Sequence, residues 1–361
     1  MKKIAPKKLT LLVALVGILP SLYAQTQKQN PFSFEASYLG DFYGNATGGI
    51  ETGVGFMGMA NIKVGFDTGE ACWWRGGSFF LNGASIHGKS LSEHYLGDLQ
   101  IASNIDAGEH TYLHELWFRQ QLGPVSFTVG LQDLNADFMV SENAGEFINS
   151  SFGVPPVISV NIPVPIFPLT GLGVSARWDI TERFAWQAAL FDGDQTPFEN
   201  NRYNLKWSLN ARDGLLAMTE FHFDERFKLG AYYHSGEKNG GVYFMGDQRI
   251  LERENHRLDL FAQIAVAPKG LNETNYSIAL GANLFGVFSK RQRDAVGLAA
   301  THAGLHRTGH KHETAIELYY KYAFSDNITL QPDIQYIVNP SATETPLKNA
   351  LACILRLHLN F

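Results

Sequence analysis

Apolar and polar residues alternate along many short stretches of the chain, and the last eleven residues show the pattern most plainly. In residues 351–361 every second position from Leu351 to Leu359 is apolar, and the opposite face is mostly polar. The apolar strand continues to the terminal Phe361, whereas the ends of soluble domains are usually frayed and polar. This pattern is typical of a closed membrane barrel, whose last strand pairs with its first because an open sheet edge is intolerable in lipid.

Fifteen further stretches resemble strands, with turn-forming residues between them and no convincing long amphipathic helix. We predict strands at residues 33–43, 54–67, 76–88, 110–121, 125–133, 171–180, 183–192, 215–223, 227–235, 240–246, 257–267, 275–285, 294–302, 313–324, 328–338 and 349–361. The chain is therefore expected to be all-β, a transmembrane antiparallel β-barrel of about 16 strands.

The lengths of the connections agree with this count. If both chain ends are periplasmic, short periplasmic turns should alternate with longer external loops. The short connections, at 122–124, 181–182, 224–226 and 325–327, all fall in the periplasmic set; the long ones, at 89–109, 134–170, 193–214 and 339–348, all fall in the external set. Residues 247–256 are the main exception, since they are long for a turn. A soluble β-sandwich is the alternative, because repeated strands alone do not distinguish the two folds.

The first 24 residues have the features of a secretory signal peptide. A lysine-rich segment at residues 2–8 precedes an apolar core at 9–19, and residues 21–24 form a plausible cleavage site. We expect residues 1–24 to be removed and residues 25–361 to form the barrel in the outer membrane of a Gram-negative bacterium. An uncleaved membrane anchor is the alternative, because Leu22 is larger than ideal at its position.

Composition excludes several other classes of protein. Apolar residues make up 45% of the chain, yet no second stretch is long and apolar enough for a transmembrane helix. The net charge of −6 comes from interspersed charges of both signs, so the sequence has no cluster of basic residues that would bind nucleic acid. Cys72 and Cys353 are predicted to lie near opposite ends of the barrel, which argues against a disulfide bond between them.

Several segments, in order along the chain, resemble the carbohydrate-selective outer-membrane porins (OprB-like). They are YLGDLQIASNI at 95–105, HELWFRQQ at 114–121, VGLQDLNADF at 129–138, FINSSF at 147–152 and LQPDIQYIVNP at 330–340. The resemblance spans nearly all of the chain after residue 24. It implies a sixteen-stranded barrel whose lumen passes sugars by diffusion.

The alternation also predicts which residues face the lumen. In the fourth strand Tyr112, Leu116 and Phe118 share the lipid-facing side, so that the other face carries Thr111, Glu115, Trp117, Arg119 and Gln121. A carboxylate, an indole and a guanidinium together suit a sugar, which offers hydroxyls to bond and a ring face to stack. The alternative is an internal ion pair that braces the wall, with Trp117 packed under a loop.

The same alternation places further polar side chains inward on other strands. These predicted pore-lining residues are Arg177, Glu317, Tyr319, Lys321, Asp333 and Arg356, accompanied by Arg257, Asp259, Gln263, Gln331, Gln335 and His358. Their mixed charge argues against a strongly ion-selective pore and favours neutral polar solutes.

Residues 134–170 form a long connection rich in proline and apolar residues, which should not extend into water. We favour a loop that folds into the mouth of the barrel and narrows it. A loop that caps the rim, or one that contacts a neighbouring subunit, is the alternative.

The leading functional hypothesis is passive, carbohydrate-selective diffusion of mono- or oligosaccharides. A structural or adhesive barrel, or a general diffusion barrel without sugar selectivity, is the alternative. A barrel lipase is disfavoured because no G-x-S-x-G motif occurs, and an energy-coupled transporter because only about eight residues separate the cleavage site from the first strand. His302, His306, His310 and His312 have spacings that could suit a metal, but a solvated loop is favoured.

We expect no metal and no cofactor. The expected partners are saccharides, outer-membrane lipid and the barrel-assembly machinery, which would be engaged through Phe361. The protein would be a monomer or a homo-oligomer.

Overall fold

A computed structural model of the protein describes residues 30–210, 212–288, 293–306 and 310–361. The predicted signal peptide, residues 1–24, lies outside the described residues. The strands are β1 (Phe32–Gly49), β2 (Gly53–Asp67), β3 (Gly77–Gly88), β4 (His110–Leu122), β5 (Val125–Gln132), β6 (Gly171–Asp179), β7 (Phe184–Asp192), β8 (Leu215–Phe223), β9 (Phe227–His234), β10 (Asn239–Glu252), β11 (Arg257–Val266), β12 (Thr274–Phe285), β13 (Asp294–Leu305), β14 (His312–Ala323), β15 (Ile328–Val338) and β16 (Lys348–Asn360).

These strands form one closed barrel. Each strand pairs with the next, and β16 pairs antiparallel with β1, as the last residues of the sequence predict. At the pairing of β1 with β16, here called the seam, the backbone N–H of Phe361 donates to the carbonyl oxygen of Ala36 at 2.8 Å. Closure leaves no free sheet edge, which satisfies the backbone of a sheet that is surrounded by lipid. The prediction of a sixteen-stranded antiparallel barrel is confirmed.

The connection at 247–256 was predicted wrongly. Strand β10 continues to Glu252, so the turn before β11 contains only residues 253–256. The polar residues Asp247, Gln248 and Arg249 resemble a turn in the sequence. Asp247 and Arg249 face inward, where they contact Ser141 and Asp259, and a barrel strand tolerates polar residues on that face. With this correction the turn joins the set of short periplasmic connections.

A β-bulge at His114 reverses the faces at the external end of β4. Glu115 pairs with Asn82, but the adjacent Gly83 pairs with Leu113, so His114 is an extra residue. Beyond the bulge Tyr112 is buried inside the barrel and Thr111 is exposed. The predicted lipid-facing side for Tyr112 and lumenal side for Thr111 were therefore wrong, because one extra residue inverts a period of two.

The two faces of the barrel differ as expected for a membrane-spanning sheet. Outward side chains such as Phe127, Leu280 and Leu355 are exposed and apolar. Cys353 is exposed on this outer face of β16, Cys72 is exposed in the turn after β2, and both are free thiols. In the described part of the chain, no helix is long and apolar enough to cross a membrane.

Connections that fold back from the external end occupy part of the barrel interior. The largest, residues 133–170, is here called the inner loop; it contains two short α-helices, α1 (Leu134–Asp137) and α2 (Pro156–Ser159), and the 3-10 turns Ala144–Glu146 and Ser150–Phe152. Its apolar side chains Phe138, Phe147 and Phe152 are at most 2% exposed and belong to hydrophobic clusters that include wall residues. The loop therefore folds into the barrel and does not stand above the rim. A π-helical turn, Ser92–Leu96, lies near the start of a second inward connection, residues 89–109.

Candidate pore and constriction

The inner loop follows the inside of the wall and is held there by wall carboxylates. The Met139 N–H donates to Glu220 of β8 at 3.0 Å, and the Ser141 hydroxyl donates to Asp247 of β10 at 2.7 Å. A third carboxylate, Glu317 of β14, holds the loop further round the barrel. Because these anchors lie on strands spread around the wall, the loop narrows the lumen over a large part of its circumference.

Glu317 and Asp333, which the sequence places among the pore-lining residues, lie beneath the inner loop. The carboxylate of Glu317 accepts hydrogen bonds from the backbone N–H groups of Ile148 at 2.6 Å and Asn149 at 3.0 Å. Glu317 is fully buried and Asp333 is 2% exposed. Glu317 therefore secures the loop, whereas Asp333 accepts a hydrogen bond from Gln335 of its own strand, and neither buried carboxyl group contacts the open pore.

Tyr319 and Lys321 follow Glu317 on the same face of β14. Tyr319 is 1% exposed, and its ring meets that of Phe147 edge to face with centroids 4.9 Å apart. Lys321 reaches past the edge of the loop, where its Nζ atom lies 2.5 Å from Oε2 of Glu146. Tyr319 therefore packs under the loop, whereas the partly exposed Lys321 borders the open lumen.

Arg356 is also covered, in this case by the 89–109 connection. Its Nε and one terminal nitrogen donate to the two carboxylate oxygens of Asp41, both at 2.8 Å, in a bidentate pair between β16 and β1. The Ser103 hydroxyl of the 89–109 connection donates to the same carboxylate at 2.7 Å. This predicted pore residue therefore braces the seam of the barrel and anchors a loop.

Glu115, Trp117 and Arg119 form a continuous row on the inner face of β4. The Trp117 indole N–H lies 3.2 Å from Oε1 of Glu115, and the Arg119 guanidinium lies 4.9 Å from the centre of the Trp117 ring. The indole also stacks with the ring of Phe80, with ring centroids 4.9 Å apart and an interplanar angle of 22°, so part of its surface is already covered. Glu115 is buried, while Trp117 and Arg119 remain partly exposed. The row gives the pore an aromatic surface next to a fixed cation.

Arg119 also connects the wall to the inner loop. Its Nε donates to Thr128 of β5 at 2.8 Å, and a terminal nitrogen donates to Asp137 of α1 at 2.9 Å. The Arg119 and Asp137 side chains are 35% and 39% exposed, so this ion pair is in contact with water. It lies at one end of the loop segment 137–146, and the ion pair of Glu146 with Lys321 lies at the other.

Arg177 lies in a second group of charges, toward the periplasmic turns. It pairs with Asp179 at 2.9 Å and with Glu225 of the turn between β8 and β9. Partial burial would raise the pKa of Glu225, but hydrogen bonds from His222 and Arg177 hold that pKa below its ordinary value. Glu225 therefore stays ionised at neutral pH, and Arg177 stays paired.

A cavity of about 420 Å³ lies below the inner loop and contacts this group. Its polar lining combines charges of both signs, from Asp137, Glu142, Arg177, His222, Glu225 and Lys228. The mixed lining agrees with the expectation drawn from the sequence, that the lumen does not carry a single sign of charge. It can offer donors and acceptors together to a polar solute.

Sequence reasoning missed the residues that the inner loop contributes. Asp137, Glu142 and Glu146 reach the lumen from the loop, and Gly145 beside them is exposed, with no atom within 4 Å of a Cβ built on it. Alternation assigns faces only to strands, so it gave no signal for them. The only available signal was the placement of three acidic residues within a segment predicted to enter the barrel.

The histidines around the connection from β13 to β14 do not assemble a metal site. His302 stacks with His312, with ring centroids 5.2 Å apart. Among the residues that the structure describes, no group of three or more histidine, cysteine or acidic side chains could hold a metal ion. Residues 307–309 of this connection are not described.

The family profile described as carbohydrate-selective porin, OprB family, matches residues 57–240 and 227–361, which is most of the chain. The chain belongs to the OprB family. The family and the fold indicate an outer-membrane carbohydrate channel of a Gram-negative bacterium, and a channel rather than an enzyme. The resemblance drawn from the sequence segments is confirmed.

Known proteins similar to this OprB-family chain include Porin B of Pseudomonas aeruginosa, which is 21% identical over 91% of the chain and 87% of that protein. The structure of Pseudomonas putida OprB at high pH matches with a TM-score of 0.80 and 19% identity, covering 92% of this chain and 94% of that one. A triple mutant of the Rhodopseudomonas blastica porin matches with a TM-score of 0.53 and 12% identity, over 91% and 100% of the two chains. The structural matches show the same barrel fold.

Proposed function

We propose that the protein is a passive channel for neutral mono- and oligosaccharides, and that Trp117 and Arg119 contact the sugar at the constriction. The observation that carries this proposal is the row on β4, in which a partly exposed indole lies beside a guanidinium 4.9 Å from its centre. A pyranose can pack its apolar carbon atoms against the exposed part of such a ring and accept hydrogen bonds from the guanidinium. Glu115, which accepts from the indole N–H, positions Trp117 and does not itself contact the sugar.

The charges around the path support a neutral solute. Arg119 is paired with Asp137, Lys321 with Glu146, and Arg177 with Asp179 and Glu225. A pore lined by paired charges has a weak net field, so it selects ions poorly while still offering many hydrogen bonds. Passage then needs no chemical step, and selectivity comes from weak binding along the path.

The experiment that tests this proposal is single-channel recording of the folded protein in a planar bilayer. Glucose, an oligosaccharide and a non-sugar polar solute of matched size are added in turn. We expect open channels whose ion current is blocked by the saccharides in a saturable way. The matched solute should not block the current. Open channels without saccharide block would favour a general diffusion barrel, and the absence of conductance from verified barrels would favour a structural one.

Two variants test whether the saccharide blocks the current at the constriction. Trp117→Ala should weaken saccharide block by roughly tenfold, which corresponds to about 1.4 kcal/mol of lost aromatic contact. Trp178→Ala is the matched control, because Trp178 is 45% exposed at the periplasmic end of β6 and the alternation places it on the lipid-facing side. Equal block in both variants would remove Trp117 from the sugar path.

A further inference from the structure

A second cavity lies on the external side of the constriction, between the inner loop and the 89–109 connection. Its volume is about 350 Å³, near the lower end of the range for ligand pockets in proteins. The described residues that line it all fall within 99–106 and 133–168, in two external connections. The inner loop also forms the constriction, but the cavity extends to Asp133 and Pro168, which lie close to the external ends of β5 and β6. A solute from outside therefore reaches this cavity, here called the vestibule, before it reaches the constriction.

The lining of the vestibule differs in charge from the path below it. Its described lining residues include two carboxylates, Asp106 and Asp133, together with amides and hydroxyls, and no lysine, arginine or histidine. Oδ2 of Asp133 lies 3.2 Å from Nε2 of the buried His114. Apolar surface comes from Phe147, Phe167 and other loop residues. Such a lining suits a ring that carries hydroxyls on its edge and apolar carbon on its face, and it disfavours an anion.

Asn104 is the polar side chain of the vestibule that is best placed for a ligand. Its backbone N–H donates to the carbonyl oxygen of Ile148 at 2.9 Å, which fixes the residue between the two connections. The side chain is exposed, and its amide forms no hydrogen bond with any described residue. An amide held in this way can donate to one hydroxyl of a sugar and accept from another.

Asp106 holds the opposite side of the vestibule in place. A single oxygen, Oδ2, accepts from the Ser90 hydroxyl at 2.9 Å and from the backbone N–H groups of Leu91 at 2.9 Å and Ser92 at 3.0 Å. The other oxygen, Oδ1, accepts no hydrogen bond from the described residues. The wall of the vestibule is thus preorganised, with one carboxylate oxygen left for a hydroxyl donor.

We propose that the vestibule is an external binding subsite for a neutral saccharide and that its negative charge turns anionic sugars away before they reach the constriction. The proposal rests on the proposed function, because it adds a first step to the same sugar path. Because Arg119, Arg177 and Lys321 at and below the constriction are all paired with carboxylates, the path there has a weak net field and does not by itself exclude sugar phosphates and sugar acids. The vestibule therefore selects against anionic solutes, which the constriction, whose charges are paired, does not do.

The test uses the full-length channel in a planar bilayer, with block by glucose and by glucose 6-phosphate measured in each variant. Asn104→Leu keeps a similar side-chain volume and removes the amide, and it should weaken glucose block by about tenfold, as expected for one or two lost hydrogen bonds. Asn200→Leu is the matched control, since Asn200 is exposed on another external connection. Asn104→Lys adds a cation to the vestibule and should strengthen block by glucose 6-phosphate relative to glucose by about tenfold.

The outcomes separate this proposal from the one on which it rests. If glucose blocks the unchanged channel and Trp117→Ala weakens that block, while both Asn104 variants behave like the unchanged protein, the vestibule is not a subsite and the channel proposal stands. If glucose does not block the unchanged channel, the channel proposal fails first. Only inserted, conducting channels are recorded, so a folding defect cannot imitate either result.

Discussion

At the scale of single residues, the sequence predicts which way a side chain points but not what covers it. Alternation separates the two faces of β14 and β15, yet Glu317 and Asp333 are buried while Lys321 stays partly exposed. The difference comes from the inner loop, whose Ile148 contacts Glu317 across 169 positions of sequence. A contact over that distance leaves no periodic trace in the sequence, so open and covered inward residues look alike there.

The row on β4 could be predicted because its three residues are close in sequence. Glu115, Trp117 and Arg119 occupy alternate positions of one strand, and their contacts follow from strand geometry alone. Tyr112, three residues earlier, was placed on the wrong face because the bulge at His114 lies between them. A bulge depends on the partner strand, and nothing in the β4 sequence marks it.

Replacing Glu317 with alanine should loosen the inner loop. The substitution leaves the backbone N–H groups of Ile148 and Asn149 without their acceptor, at a cost of about 1–3 kcal/mol for each buried group. We expect faster proteolysis within residues 133–170 of the folded barrel and a noisier open-channel current. Glu344→Ala, at an exposed external position, should leave both properties unchanged. Equal protease resistance in the two variants would mean that Glu317 does not hold the loop.

At the scale of elements, the sequence predicts that the inner loop lies inside the barrel but not the course that its backbone takes there. Its proline and apolar content indicates burial, and Phe138, Phe147 and Phe152 are indeed buried. The path depends on where acceptors such as Glu220 and Asp247 stand on distant strands, and therefore on the register of the whole barrel. The segment 137–146 ends in ion pairs with Arg119 and Lys321, so its placement sets the width of the constriction.

Replacing Gly145 with tryptophan should narrow the pore without disturbing the fold. A Cβ built on Gly145 meets no atom within 4 Å, so the new side chain has open lumen to occupy. We expect the single-channel conductance to fall by about half or more, because the indole takes space from the narrowest part of the path. Gly270→Trp is the matched control, since a Cβ on Gly270 also meets nothing within 4 Å but lies in the connection between β11 and β12. A loss of conductance as large in Gly270→Trp, or none in Gly145→Trp, would place the constriction elsewhere.

At the scale of the whole molecule, the barrel is the part that sequence predicts best. Each strand is a local pattern, and the alternation of short and long connections checks the strand count independently. The error at residues 247–256 did not change the count, because it moved a boundary and added no strand. Closure follows from the same physics, since β1 and β16 would otherwise expose two sheet edges to lipid.

Phe361 should contribute to closure through its backbone and to assembly through its side chain. The backbone bonds Ala36 in both directions, at 2.8 and 3.4 Å, while the ring is 61% exposed and does not fill the barrel. Deleting Phe361 removes the bonds and the ring, whereas Phe361→Ala keeps the bonds. We expect the deletion to lower the yield of heat-modifiable barrel both in refolding from denaturant into detergent and in cells. We propose that the barrel-assembly machinery engages the exposed ring of Phe361, so Phe361→Ala should refold normally into detergent yet assemble poorly in cells.

The two measurements together separate the two roles of this residue. If the deletion variant refolds as well as the unchanged protein, the last pair of hydrogen bonds is dispensable and the seam is held by the ten pairs from Ser37 with Asn360 to Thr47 with Leu351. If Phe361→Ala assembles in cells at the normal level, the exposed ring is not a recognition element, and its exposure has to be explained by contact with lipid alone. A defect of Phe361→Ala in both settings would instead show that the ring stabilises the closed barrel directly.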